Sequence, residues 1–179
     1  MASELQVTTL KGNPTGANAN QILVPSGQTL YAPGHVIQVL QFVFKPYQSI
    51  TASSYAATSI TKTITPTSSS SKILVNCTVT AGNSGSNAGE NAFALYRSIG
   101  GATASSIETF ERAVFSYDPG GSSIHVDSSI ALSFLDSPST TSAITYTLYA
   151  RTNTGTLRIN DHQVSGGGQS TITLMEIAQ

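Results

Sequence analysis

The chain has 179 residues, of which eight are Lys or Arg and nine are Asp or Glu, giving a formal net charge of −1. The basic residues are scattered, so the sequence lacks the clustered positive charge with which proteins bind DNA or RNA. Ser and Thr together account for 49 residues. So polar a composition with so few charges favours a protein held in an assembly, or one exposed outside cells, over a free enzyme.

Residues 1–33 differ from the rest and predict an extended N-terminal arm. They contain a turn-rich polar stretch at 11–20 and only short apolar pairs, Leu5 with Val7 and Ile22 with Val24. Such a segment buries too little apolar surface to offset its own ordering entropy. We expect it to order against sister chains or a larger particle, and a disordered tail is the alternative. The head domain is then 34–179.

From residue 34 onward, short apolar runs with a period of two recur, the pattern typical of β-strands. The alternation is clearest at 124–134, and no window of 11 residues has helical periodicity. The Gly- and Asn-rich stretch 81–89 is predicted as a flexible loop, 48–59 is a polar Ser/Thr segment without an assigned strand, and 103–109 is the one place where a helical turn is considered. The predicted strands are 36–44, 60–64, 72–80, 91–97, 110–117, 124–134, 143–151, 156–160 and 170–178.

Eight to ten strands at this spacing predict an all-β jelly-roll sandwich. The first and last strands of the head, 36–44 and 170–178, are apolar on both faces. Strands of that kind are covered on two sides. The two could therefore pair with each other centrally, or face a subunit interface.

The residues that carry enzyme chemistry are scarce. Cys77 is the single cysteine, so no intrachain disulfide can form, and its strand-like surroundings predict a buried, inert thiol. His35, His125 and His162 lack the spacing of metal ligands. Gly166–Gly168 is followed by no Lys, as a phosphate-binding loop would be. We therefore predict no enzymatic activity, no metal and no cofactor.

The seven tyrosines are the more ambiguous side chains, since they could stack on sugars or fill interfaces. Tyr96 and Tyr117 lie near predicted loops. Loops on a rigid sandwich are where binding residues concentrate. The residues predicted to face a ligand are Asn83, Asn87, Tyr96, Tyr117, Asp161 and His162.

Several segments occur in an order that resembles the tail-fibre and related virion proteins of marine and cyanobacterial phages. These segments are 4–10, 24–30, 33–39, 55–66, 71–75 and 170–177. The resemblance implies a homotrimeric virion protein, assembled in the host cytoplasm, whose head is similar to the jelly roll of complement C1q and tumour necrosis factor. Many such fibres have a long shaft between arm and head, and this sequence has almost none. That departure favours a short fibre or a capsid-decorating knob.

The leading hypothesis is therefore a non-enzymatic short tail fibre whose head binds a host cell-surface glycan or outer-membrane component. The alternative is a capsid decoration (cement) protein that stabilises the shell. The expected partners are the chain itself and other virion proteins, with no nucleic acid and no membrane insertion. The trimer interface is predicted at Val36, Gln38, Leu40, Phe42, Phe44, Phe93, Leu95, Leu174, Met175 and Ile177. Docking to the particle is predicted at Leu5, Val7, Leu10, Ile22 and Val24.

Overall fold

The computed structural model of the chain describes residues 15, 32–84, 89–116, 126–161 and 168–179. Within these ranges it contains ten β-strands and no helix. The strands are β1 Val36–Phe44, β2 Gln48–Ile50, β3 Ala56–Ile64, β4 Lys72–Ser84, β5 Gly89–Ile99, β6 Ser105–Ser116, β7 Val126–Asp136, β8 Ile144–Thr152, β9 Thr156–Ile159 and β10 Ser170–Ile177.

The strands form two antiparallel sheets packed face to face. The first sheet has the order β1-β10-β4-β7, and the short strands β9 and β2 extend it beside the end of β4. The second sheet has the order β3-β8-β5-β6. The series β1-β10-β4-β7 within the six-stranded first sheet and the four strands of the second follow the strand order of a jelly roll, so the predicted all-β sandwich is confirmed.

Chain contacts divide the protein into two units, Met1–Ala32 and Pro33–Gln179, and the sandwich belongs to the second. The predicted arm falls almost wholly outside the described residues. Its boundary with the head at residue 33 stays a prediction.

The period-two pattern of the sequence becomes the division between core and surface. In β8, Ile144, Tyr146, Leu148 and Ala150 are fully buried, while the residues between them are half-exposed. The same alternation in β10 buries Ile172 and Leu174 from the opposite sheet. Full burial of one such aliphatic side chain contributes roughly 1.5–3 kcal/mol. The core is therefore a single layer of side chains from both sheets.

The predicted loop at 81–89 is wrong in its first part, because β4 continues to Ser84. Its end is hydrogen-bonded to β7 on one side and to β9 on the other. The side-chain amide of Asn83 is buried there and donates to Asn91 Oδ1 at 2.9 Å and to the carbonyl of Thr154 at 3.0 Å. Pairing on both edges overrides the loop-like composition.

The segment 103–109 forms no helical turn, because Ser105 already begins β6, which pairs with β5 over its length. Ile107 and Phe110 on this strand pack against the core. The polar segment 48–59 likewise contains β2 and the start of β3. In both places the burial of a few apolar side chains outweighs a polar local composition.

The pairing of the first and last strands is confirmed. β1 runs antiparallel to β10, with register partners from Val36 opposite Ile177 to Phe44 opposite Ser170. β10 is the interior strand of the two, since β4 pairs along its other edge. β1 ends this side of the first sheet.

Asp136 forms a buried polar connection between the sheets. It stands at the end of β7, and its carboxylate accepts hydrogen bonds from Arg97 Nη1 at 2.8 and 2.9 Å and from the Tyr146 hydroxyl at 2.7 Å. Arg97 and Tyr146 belong to β5 and β8 of the second sheet. Burial raises the pKa of Tyr146, and its hydrogen bond to the Asp136 carboxylate raises it further. The tyrosine therefore stays a donor.

Glu176 forms a second buried connection at β10. Its carboxylate accepts hydrogen bonds from Gln38 Nε2 at 2.6 Å, from the Thr67 backbone N–H at 2.7 Å and from the Thr67 hydroxyl at 2.8 Å. Burial by itself would raise the pKa of Glu176, but these hydrogen bonds favour the charged form and the pKa is lowered. β1, β10 and the loop before β4 are thereby joined at one carboxylate.

Replacing Asp136 with Ala leaves the Arg97 guanidinium and the Tyr146 hydroxyl without their shared acceptor. We expect the free energy of unfolding to fall by about 3 kcal/mol, the lower end for a broken buried pair because Arg97 is partly exposed. Urea denaturation followed by circular dichroism measures this. The control is Glu90→Gln, which breaks the exposed pair with Arg112 and should cost at most about 1 kcal/mol. Equal losses in the two variants would contradict the role assigned to Asp136.

The lowered pKa of Glu176 makes its contribution depend on acidity. The folded pKa lies below the ordinary value of 4.5, so the contribution is fully present above pH 4.5 and is lost as the pH falls through the folded pKa. We expect Glu176→Gln to be less stable than the wild type at about pH 6 and the difference to shrink towards about pH 3. Other acidic groups cancel in this difference. A gap that stays constant across that range would refute the expectation.

Candidate functional site

The two outer faces of the sandwich, which point away from the core, differ in chemistry. The first sheet carries exposed apolar residues there, and the second carries tyrosines, threonines and an ion pair. Each face is built by alternate residues of its strands, so both follow from the same period-two pattern that fills the core.

An apolar row crosses the outer face of the first sheet at right angles to its strands. Register places Val39 of β1 opposite Met175 of β10, Met175 opposite Leu74 of β4, and Leu74 opposite Leu135 of β7. Val39 is 55% exposed and Leu135 48%, and the two central side chains are half-buried. With strands about 4.8 Å apart, the row spans about 14 Å.

The surroundings of the apolar row are mixed. On one side lie Val36 and Ile177, which are register partners. On the other side lies a polar row in which Gln41 Nε2 donates to Thr173 Oγ1 at 3.0 Å. Apolar side chains that lie next to each other on a partly polar face are the kind of surface through which proteins associate.

The predicted trimer interface is corrected by these positions. Phe44, Phe93, Leu95 and Leu174 are buried in the core of their own chain, so they cannot meet a partner. Leu40 and Phe42 also pack against that core, and Gln38 is bonded to Glu176. Val36, Met175 and Ile177 do lie on the outer face. The exposed Val39, Val43 and Leu135 and the half-buried Leu74 share this outer face and were not among the predicted residues.

A second cluster, the tyrosine patch, occupies the outer face of the second sheet. It consists of Tyr55, just before β3, Tyr96 of β5, Glu111 of β6, and Tyr149 and Arg151 of β8. The rings of Tyr96 and Tyr149 stack, with centroids 3.8 Å apart and planes 19° apart. Tyr55 meets Tyr96 at 6.5 Å in a tilted arrangement. The Arg151 Cζ atom lies 5.4 Å from the Tyr55 ring centroid.

Small residues make room for the patch. In register, Ala94 stands opposite Tyr149 and Ala92 opposite Arg151. Both alanines alternate with the core residue Phe93, so they point outward, and yet they are 0% and 2% exposed. The larger side chains across from them therefore lie over β5. This support fixes the patch on the sheet.

The charges of the patch balance. The Glu111 carboxylate accepts hydrogen bonds from the Tyr55 hydroxyl at 2.8 Å and from Arg151 Nη2 at 2.6 Å. The hydrogen bond from Tyr55, followed by that from Arg151, lowers the pKa of Glu111. Burial raises the pKa of Tyr55, as does its bond to Glu111. At neutral pH the Arg151 cation and the Glu111 anion thus balance, and the Tyr55 phenol stays neutral.

The residues predicted to face a ligand are only partly brought together. Tyr96 lies on the outer face, although within a strand and not in a loop. Asn83 is wrong, because it is buried inside β4. Asp161 is buried too, and pairs with Arg158 at 2.8 Å. Asn87, Tyr117 and His162, and all five residues predicted to dock on the particle, lie outside the described residues.

Tyr55, Glu111, Tyr149 and Arg151 were not singled out from the sequence as a group. Alternation along β8 does place Tyr149 and Arg151 on one face. Their meeting with Tyr55 and Glu111 depends on strand pairing, which local patterning does not give.

In the part of the chain that the structure describes, the single cysteine has the surroundings of a core residue and not those of a nucleophile. Cys77 lies in the core on β4, and burial raises the pKa of its thiol to about 12. In the described ranges, no three His, Cys, Asp or Glu side chains are grouped so as to hold a metal ion. Those ranges also contain no helix with the length and apolarity needed to cross a membrane.

Comparison with known proteins gives little beyond this geometry. No protein-family model matches the sequence, and no curated protein matches it either. Among solved structures, it is similar to a chain in the structure of infectious bursal disease virus, Gx strain, at 8% identity and a TM-score of 0.38. The match covers 90% of this chain and 43% of that one, so the chain spans less than half its neighbour's length. A likeness this distant carries no argument about function.

Proposed function

We propose that the protein is a non-enzymatic structural protein of a virion, which assembles as a homotrimer through the outer face of its first sheet. In this proposal the head belongs to a short tail fibre and contacts the host surface with its opposite face. The observation that carries the assembly is the apolar row. The assignment to a phage virion rests on the sequence segments that resemble phage tail-fibre proteins.

The apolar row supports self-assembly because the exposure of its apolar side chains to water is unfavourable. Val39 and Leu135 expose about half of their side chains on a flat sheet face. The neighbouring row consists of Gln41, Thr173, Asn76 and Ser133, and Lys72 is the one charged register partner of Ile177, so few charges need to be desolvated when such faces meet. Each buried methylene there contributes about 0.8 kcal/mol. In a three-fold trimer each copy contacts its two neighbours through different parts of this face, and the three rows converge towards the symmetry axis.

The two-faced sandwich also supports attachment to a host. If the first sheet is turned towards the other copies, the second sheet faces outward three times in each trimer. Weak contacts of single heads then add through multivalency. In this arrangement the first sheet mediates assembly and the second mediates contact with the host, in agreement with their different compositions.

The trimer has a direct test in solution. Light scattering of the purified protein should give a mass about three times 18.6 kDa. Val39→Glu and Leu135→Glu place a charge in the apolar row and should shift the mass to one chain, because an unpaired charge is costly to bury. The control Thr63→Glu adds the same charge to the outer face of the second sheet and should leave the trimer intact. A stable wild-type monomer would refute the assembly.

The fibre role is separated from the decoration role by cell binding and by position in the particle. We expect saturable binding of the purified protein to host cells, and immunogold label at the tail of the particle. Label spread over the shell, without cell binding and with rescue of heat-stressed or salt-stressed capsids by added protein, would instead establish a cement protein.

A further inference from the structure

We propose that the tyrosine patch binds an uncharged oligosaccharide. This inference rests on the proposed function, since it names the ligand class and the residues through which the head would contact a host. It assigns Tyr96, Tyr149 and Tyr55 as the stacking surface. Arg151 and Glu111 supply the polar contacts.

The aromatic surface fits the amphipathic character of a sugar ring. A pyranose presents C–H groups on its faces and hydroxyls at its edge, and a tyrosine offers a flat apolar ring with a polar tip. Tyrosine also gives a large contact area with few rotatable bonds, so little entropy is lost on binding. Tyr96 and Tyr149 are half-buried, and a phenol hydroxyl can both donate to and accept from a sugar hydroxyl.

The charge balance of the patch selects an uncharged ligand. Arg151 and Glu111 neutralise each other at 2.6 Å, with Glu111 half-exposed and Arg151 30% exposed. An anionic ligand would be attracted by Arg151 and repelled by Glu111, and a cationic ligand would meet the reverse. Sugar hydroxyls both donate and accept, so they can bond to the remaining guanidinium N–H groups and carboxylate lone pairs together. Such hydrogen bonds to ionised groups are the stronger ones.

The side chains of the patch support one another through contacts within the sheet. Tyr96 and Tyr149 are stacked on each other, and Tyr149 and Arg151 lie over alanines of the neighbouring strand. All except Tyr55 project from strands, which hold side chains more precisely than loops do. Binding therefore needs little rearrangement, which lowers its entropic cost.

The shape of the surrounding face indicates a chain of sugars and not a single small molecule. Beyond Tyr149 the same face continues with paired threonine hydroxyls, Thr61 with Thr147 and Thr63 with Thr145, each pair 2.8 Å apart. The surface is open and lined by hydroxyl groups along the strands. An extended oligosaccharide can lie across it. The apolar row is on the opposite side of the sandwich, so assembly leaves the patch accessible.

The test uses the full chain and two probes, immobilised oligosaccharides and host cells. A panel of neutral and acidic oligosaccharides is screened with wild type, Tyr149→Ala, Tyr149→Phe and Arg151→Gln. We expect binding to neutral members that is weakened about tenfold by Tyr149→Ala, which corresponds to the loss of a stacking contact of about 1.4 kcal/mol. Tyr149→Phe should keep most of the affinity, and Arg151→Gln should lose part of it.

The matched control is Tyr47→Ala, which removes an exposed tyrosine outside the patch and should change nothing. Thermal melts confirm that each variant is folded. If Tyr149→Ala unfolds, Arg151→Gln replaces it as the test variant, because the Arg151 side chain is partly exposed and its substitution disturbs the fold less. The inference would be overturned if the protein bound only acidic members of the panel. It would also be overturned if binding to neutral members were the same in wild type, Tyr149→Ala and Arg151→Gln.

Cell binding separates failure of the inference from failure of the proposed function. Periodate cleaves the vicinal diols of cell-surface glycans and leaves most protein surfaces intact. Cell binding lost both after periodate and in Tyr149→Ala supports the inference. If cells are still bound after periodate oxidation, or by Tyr149→Ala, the inference is overturned. The host-binding function then remains, but it uses another surface of the head. If wild type does not bind cells at all, the fibre function fails, and the oligosaccharide panel alone decides the inference.

Discussion

The sandwich depends on the pairing of β4, which is hydrogen-bonded along both edges over most of its 13 residues. β7 lies along one edge from Ile73 to Asn83, and β10 and then β9 lie along the other. The same strand contributes Ile73, Val75, Cys77 and Val79 to the core. Backbone pairing and apolar burial therefore act at the same residues. The other strands of the first sheet take their registers from this one.

The apolar row is a direct consequence of those registers. Because partners directly opposite point to the same face, Leu74 of β4 aligns with Met175 on one side and Leu135 on the other. A slip of one residue on any strand would turn its side chain into the core and break the row. The surface proposed for assembly is thus fixed by the same hydrogen bonds that hold the sheet.

Two buried carboxylates support the sandwich away from its apolar centre. Asp136 connects β7 to the second sheet through Arg97 and Tyr146, and Glu176 connects β10 to β1 and to the loop before β4. Each is compensated by several donors, as a buried charge requires. Glu111, in contrast, forms its ion pair at the surface. There it joins the tyrosine patch.

Much of the fold could be predicted from local pattern. Alternation located most strands and the pairing of the first strand with the last, and the even spacing of strands indicated the jelly roll. The errors fall where composition and tertiary pairing disagree. Gly82 and Asn83 are poor strand formers, yet they lie in β4 because β7 and β9 flank them. Ser105 and Ser106 begin β6 for a similar reason, since β5 offers an edge.

The candidate surfaces were less predictable than the strands. Two-sided apolarity in 36–44 correctly indicated that β1 is apolar on its outer face as well, but the pattern does not say which residue faces the core. Phe44, Phe93 and Leu174 were therefore taken for interface residues, although they fill the chain's own core. Which side chains of a strand face the core is known only when the sheet against which the strand packs is known.

By itself, the sequence determined that this chain forms a sparsely charged, all-β sandwich with alternate side chains inside and outside. The period of two follows from the geometry of an extended strand, so it can be recognised from the local sequence. The tertiary structure alone decided which outward side chains meet. Tyr55 and Glu111 are 56 residues apart, and Glu111 and Arg151 are 40 apart, yet all three are in contact. Strand order and register create such neighbours, and they depend on packing across the whole sandwich.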